Sequence, residues 1–197
     1  MKLVKSVLVV SIVGLLLAGC GASNSGSAAV IGDVKIPEST LAQSFAEITE
    51  VTSVAALEST EDQLTRDLLN RLVLLEIVRQ AAVLAEVEVT PADVAAERSK
   101  TEADFGGPAQ LTEAALAQAI APKDINGVLE LGLTISRIGV KLEPTGTQES
   151  QSAAFNTFIL SFVEGLDIQI SPRYGTWNAQ QISVDAPTNP VAGTPGE

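Results

Sequence analysis

The 197 residues contain no histidine and only one cysteine, one methionine, one tyrosine and one tryptophan. Without histidine the usual proton shuttle and the commonest metal ligand are missing. A lone cysteine excludes an internal disulfide and a thiolate zinc site, and a serine triad lacks its base. Positive charge is scarce as well: 12 Lys and Arg stand against 24 Asp and Glu, a net charge of −12. Such a chain has no means of neutralising a row of phosphates, so nucleic acid is excluded as a partner, and an anionic membrane surface repels it. Most enzyme classes lose their support, and no metal or cofactor is expected. What is present is 46% hydrophobic and 18% charged sequence, enough for one ordinary domain or a small two-lobed one with a real core.

The single cysteine has a specific setting. Lys2 and Lys5 open the chain, an apolar run from Val7 to Leu17 follows, broken by Ser11 and Gly14, and small residues lead to Cys20. This is the layout of a secretory signal, and the run is too short for a spanning helix, which needs about 20 apolar residues. Leu17-Ala18-Gly19-Cys20 resembles the lipobox of bacterial lipoproteins. That resemblance implies a diacylglyceryl group on the Cys20 sulfur, cleavage after Gly19 and acylation of the freed amine. Two or more acyl chains anchor stably where one is reversible. Residues 1–19 are thus expected to be a signal peptide and residues 20–27, rich in Gly, Ser, Ala and Asn, a flexible tether.

The folded part is expected over residues 28–178, mainly α with a small β element. Val30-Ile31 and Val34-Lys35-Ile36 flank Gly32-Asp33, a two-residue turn of type II′. Pro37 suits the first turn of a helix that carries Leu41, Phe45 and Ile48 on one face. Thr60 and Gln63 have capping-box spacing before a helix to about Glu86, with a main stripe of Leu64, Leu68, Leu72, Leu75 and Val78 or Ala82. Leu69, Val73, Leu74 and Ile77 widen that stripe until the helix must be packed on two sides, leaving Arg66, Asn70, Arg71, Arg79 and Gln80 to mark its exposed face. Val87-Glu88-Val89 reads as extended, and Thr90-Pro91-Ala92-Asp93 starts a helix that ends near Asp104, where Phe105-Gly106-Gly107-Pro108 cannot continue it. Two more helices follow, the second with Gly127, Gly132 and Gly139, which suit either close helix packing or a mobile helix.

Residues 143–150 read as a linker. Phe155, Phe158, Ile159, Phe162, Val163 and Leu166 then recur at helical spacing, and Asp167 to Ser171 alternates as a strand. With Pro187, Pro190 and Pro195, residues 179–197 read as a disordered tail whose removal leaves the fold unchanged.

The order of these elements is similar to that of the SurA/PrsA-type extracytoplasmic chaperones, over about residues 28–178. Two segments carry the likeness: Ala28 to Pro37 resembles the family's opening hairpin, and Ile168-Gln169-Ile170-Ser171-Pro172-Arg173-Tyr174-Gly175-Thr176-Trp177 its closing strand and turn, with Ser171 where Asn is common. The resemblance implies that the closing strand returns to the opening hairpin. It also implies a lobe without the parvulin prolyl-isomerase domain often inserted before the late helix, because only residues 143–150 stand there and no histidine is present. Function is then expected to be non-enzymatic: a lipoprotein anchored on the extracytoplasmic side of a bacterial membrane that binds unfolded or folding secreted proteins as a holdase. The alternative is a structural or adaptor lipoprotein that docks one envelope partner.

Candidate contact residues are few. Phe155, Phe158 and Phe162 fit a core stripe better than a client cradle. Tyr174 and Trp177, aromatics in a polar turn beside Arg173, suit client or partner contact, or a clamp that holds the turn on the lobe. Glu58, Glu61, Asp62, Asp93 and Glu97 lie at helix starts and on a helix face, where dipole and solvent account for them. No calcium-loop or phosphate-loop spacing occurs, and Ser99-Lys100 lacks the Ser-x-x-Lys spacing of a serine–lysine nucleophile.

Overall fold

A computed structural model describes residues 26–187. Cys20 and its lipobox, the tether up to residue 25 and the tail from residue 188 lie outside the described residues, and Ser27, expected as the end of the tether, is instead the buried first residue of a strand.

β1 (Ser27–Ile31) and β2 (Val34–Pro37) form the opening hairpin. Gly32 has φ +56 and Asp33 is not among the positive-φ residues, the signature of the type II′ turn. Two short strands are marginal alone. The missing third strand comes from 137 residues downstream: β3 (Ile168–Ile170) lies antiparallel on β1, with Ala29 opposite Ile170 and Ile31 opposite Ile168. The sheet order is β2-β1-β3. Asp167 also accepts the Gly32 N–H at 2.8 Å, which ties the hairpin turn to the returning strand.

Six helices connect these strands: α1 (Glu38–Thr49), α2 (Glu61–Leu84), α3 (Pro91–Phe105), α4 (Pro108–Ala117), α5 (Ile125–Leu142) and α6 (Gln148–Glu164). The fold is mainly helical with a small antiparallel element. α2 is the centre of the core. Leu64, Leu68, Leu69, Val73, Ile77, Val78 and Ala81 are all but sealed from solvent, against Ala28 and Ile31 of β1, Ile48 of α1, Ile138 of α5 and Phe155, Ile159 and Val163 of α6. The most buried line thus runs through 69, 73 and 77. Leu72, Leu74 and Leu75, expected among the apolar positions of this helix, are half-buried.

Two further expectations need correction. Asn70, Arg71 and Gln80 are half-buried, with their side chains engaged. Asn70 accepts from Val184, Arg71 donates to the Ala119 carbonyl at 2.8 Å and Gln80 donates to the Ile31 carbonyl at 3.0 Å. Polar residues on this helix close hydrogen bonds of loops and strand ends that would otherwise be buried unpaired. The tail reading also fails for its first nine residues. β4 (Thr176–Asn178) pairs with β5 (Ser183–Asp185), and Val184 is 4% exposed. The Asn178 side chain accepts the Gln180 and Gln181 N–H groups and so organises the tight turn that composition alone disguised.

Smaller differences have local causes. The linker is residues 143–147, because the Thr147 hydroxyl accepts from Ser150 and caps α6 early. Pro37 ends β2 and serves as N-cap of α1, whose first residue is Glu38. Residues 87–89 join no sheet, and Val54–Leu57 forms a 3-10 turn.

Candidate functional site

The residues read as surface aromatics part company in the structure. Both are half-buried and packed against the core, Trp177 on β4 opposite Val184. Tyr174 lines an open cleft of about 440 Å³ between α1, the first turns of α2 and the turn after β3.

Each wall follows from local sequence. Glu38, Leu41, Ala42 and Phe45 repeat at helical spacing along α1, so one face of the helix becomes the floor. Glu61, Asp62, Thr65 and Arg66 occupy the opening turns of α2. That helix start is fixed by its capping box: the Thr60 hydroxyl accepts the Gln63 N–H at 3.2 Å and Gln63 accepts the Thr60 N–H at 3.1 Å. Carboxylates in this first turn also meet the positive end of the helix.

The third wall is the closing turn. Ser171 donates its N–H to the Ala28 carbonyl at 2.9 Å and accepts that of Tyr174 at 2.9 Å, so the turn is stitched directly to β1. Arg173 lies 4.9 Å from the Tyr174 ring centroid and reaches the Glu38 carboxylate at 3.2 Å. Glu38 in turn donates its N–H to the Gly26 carbonyl at 2.9 Å. Burial pushes the Tyr174 hydroxyl above its ordinary range, Arg173 opposing and Glu38 assisting. Gly175 is required where it stands, because a Cβ there would collide with the Asp185 carbonyl and the Val184 side chain. Pro187 completes the rim.

Sequence reasoning placed Tyr174 at the surface but missed the α1 face and the start of α2 as its neighbours. The Arg173–Glu38 pair spans 135 positions, a contact that no local pattern announces. A second hollow of about 260 Å³ between α2 and the start of α5 holds Arg71, Arg79 and Lys123, all engaged. Arg79 makes two 2.6 Å bonds to Glu130, Lys123 pairs with Asp124, and burial lowers the Arg71 pKa. A groove of about 570 Å³ along α3 and α5 is crossed by Arg98, which bonds Glu102 and Asn126.

Among the described residues no group of three or more His, Cys, Asp or Glu is placed to hold a metal ion, and no helix is long and apolar enough to cross a membrane. The chain matches no known family model, no curated protein and no solved structure.

Proposed function

We propose that this chain is a lipid-anchored extracytoplasmic lipoprotein with a chaperone-like, holdase role, binding unfolded or folding secreted proteins without prolyl isomerase activity. One observation carries the reading. The late strand lies on the opening hairpin, and the turn that follows it supplies Arg173 and Tyr174 to an open cleft. This is the return that the SurA/PrsA-type resemblance implies. An open cleft with an apolar floor and a charged rim suits weak contacts with varied extended chains. The loop at 143–147, where the family often carries its isomerase, is short here. Attachment is assigned to Cys20, and the client contact to Tyr174 in the cleft.

The test is dilution of a denatured client into the full chain, followed by light scattering, beside a proline-limited refolding assay. Scattering is expected to fall with added chain while the slow refolding phase keeps its rate. Unchanged scattering overturns the holdase reading, and an accelerated slow phase overturns its non-enzymatic part.

A further inference from the structure

We infer that the cleft beside Tyr174 takes an extended polypeptide segment in which an apolar side chain and a Lys or Arg stand two residues apart. The inference rests on the holdase reading for why such segments reach the cleft, and on the cleft itself for their chemistry. In an extended chain, residues i and i+2 point the same way, so both side chains enter together.

The floor supplies the apolar half: exposed Ala42 and half-buried Phe45 over the buried Leu41, with Tyr174 at one side. The opposite wall supplies the charge. Glu61 and Asp62 are exposed and make no ion pair among the described residues. The cleft's cations are partly spent: Arg173 is held by Glu38 and stacked on Tyr174, and Arg66, one turn beyond Asp62, offsets one carboxylate. An acidic surplus remains, within a chain of net charge −12. A Lys or Arg suits this arrangement because its methylene stem lies along apolar surface while its head reaches the carboxylates. The volume, about 440 Å³, falls within the usual range of about 300–1,000 Å³ for a site that takes a few side chains.

Other occupants lack part of the match. A second copy brings the same negative charge and is repelled. Residues 188–197, which follow Pro187, contain no Lys or Arg.

The chain carries its own reporter, since Tyr174 is its single tyrosine. With 3-fluorotyrosine incorporated into the full chain, one fluorine signal reads the cleft. The probe is a short Gly/Ser peptide with Leu-Ser-Lys-Ser-Phe-Ser-Lys at its centre. This peptide is expected to shift the signal saturably, whereas the analogue with Glu for Lys, and the one with Ser for Leu and Phe, do not. Replacing Glu61→Gln with Asp62→Asn removes two exposed charge contacts. It should weaken binding roughly five-fold and flatten its salt dependence, from about 0.2–1 kcal/mol per exposed pair. Ala42→Trp, at an exposed floor position, should abolish the shift.

Equal binding of the Glu peptide, or a shift that survives Ala42→Trp in a variant that melts normally, overturns the inference. Client protection that survives Ala42→Trp also overturns it while sparing the holdase reading. A Tyr174 response without any client protection sinks the holdase reading alone.

Discussion

Ending the chain after Asn178 should unsettle the whole fold, because β5, the strand it removes, is packed on the central helix. Asn70, in the middle of α2, accepts the Val184 N–H. Asn70→Ala leaves that amide buried without a partner, at a cost of about 1–3 kcal/mol. Val184 is 4% exposed, and Val184→Ala removes two carbon groups at about 0.8 kcal/mol each plus a small cavity, about 2 kcal/mol in sum. For a chain of this length 1 kcal/mol moves Tm by about 2–4 °C. Calorimetry should therefore find Tm lowered by about 2–12 °C in Asn70→Ala and about 4–8 °C in Val184→Ala. The double variant should lose less than the sum, since the two changes share one contact. Asn70→Asp keeps an acceptor and should lose least. Truncation after Asn178 should cost at least as much as the double variant. If the truncated chain and Asn70→Ala both melt like the parent, β5 is no part of the fold and the reasoning fails.

Four other outcomes follow from named contacts. The Asp93 carboxyl is held well below the usual carboxylate range, first by the Arg137 guanidinium and then by the Thr90 N–H and hydroxyl. A depressed folded pKa adds stability above the unfolded value, about 3.9, and loses it as pH falls further. The stability gap between the parent and Asp93→Asn should therefore narrow steadily below about pH 4 in denaturant melts. Gly139→Ala would place a Cβ 2.9 Å from the Gln151 carbonyl and should lower Tm, whereas Gly132→Ala meets nothing within 4 Å and should raise stability by up to about 1 kcal/mol. Truncation after Glu149 removes Phe155 and β3 from the core and should abolish cooperative melting. Cys20→Ser should release the protein from the membrane fraction or leave an unprocessed precursor, read by fractionation and intact mass; wild-type mass at the membrane contradicts lipidation.

Where local chemistry decides, the sequence was readable. The Gly32 turn, the Thr60/Gln63 box and the Thr90 cap each depend on a few adjacent residues and stand as read, while α3 runs one residue past the expected end near Asp104, to Phe105. The return of β3 to β1 was legible only through the resemblance of the two end segments. Features decided by distant partners were not legible. Arg71, Asn70 and Gln80 look like a wet face until the loops they serve are in place, and the composition of residues 179–187 hides a hairpin that exists because Val184 finds α2. The candidate site was half visible. Tyr174 stood out as an aromatic in a polar turn, but its floor on α1 is set by tertiary packing. Of the two readings of the α5 glycines, close packing holds at Gly139 and Gly127, where an added Cβ would lie 2.9 and 3.0 Å from a neighbour, while Gly132 meets nothing within 4 Å.

The central claim, that the cleft holds many secreted chains in passing, is tested most directly by a photo-crosslinking amino acid at position 42 of the full chain in living cells. The account predicts a spread of crosslinked products of many sizes, which disappears when new synthesis is stopped and is absent when the crosslinker stands at exposed Glu113 on α4. One stoichiometric product that persists without new synthesis would contradict it and make the chain an adaptor for a single partner.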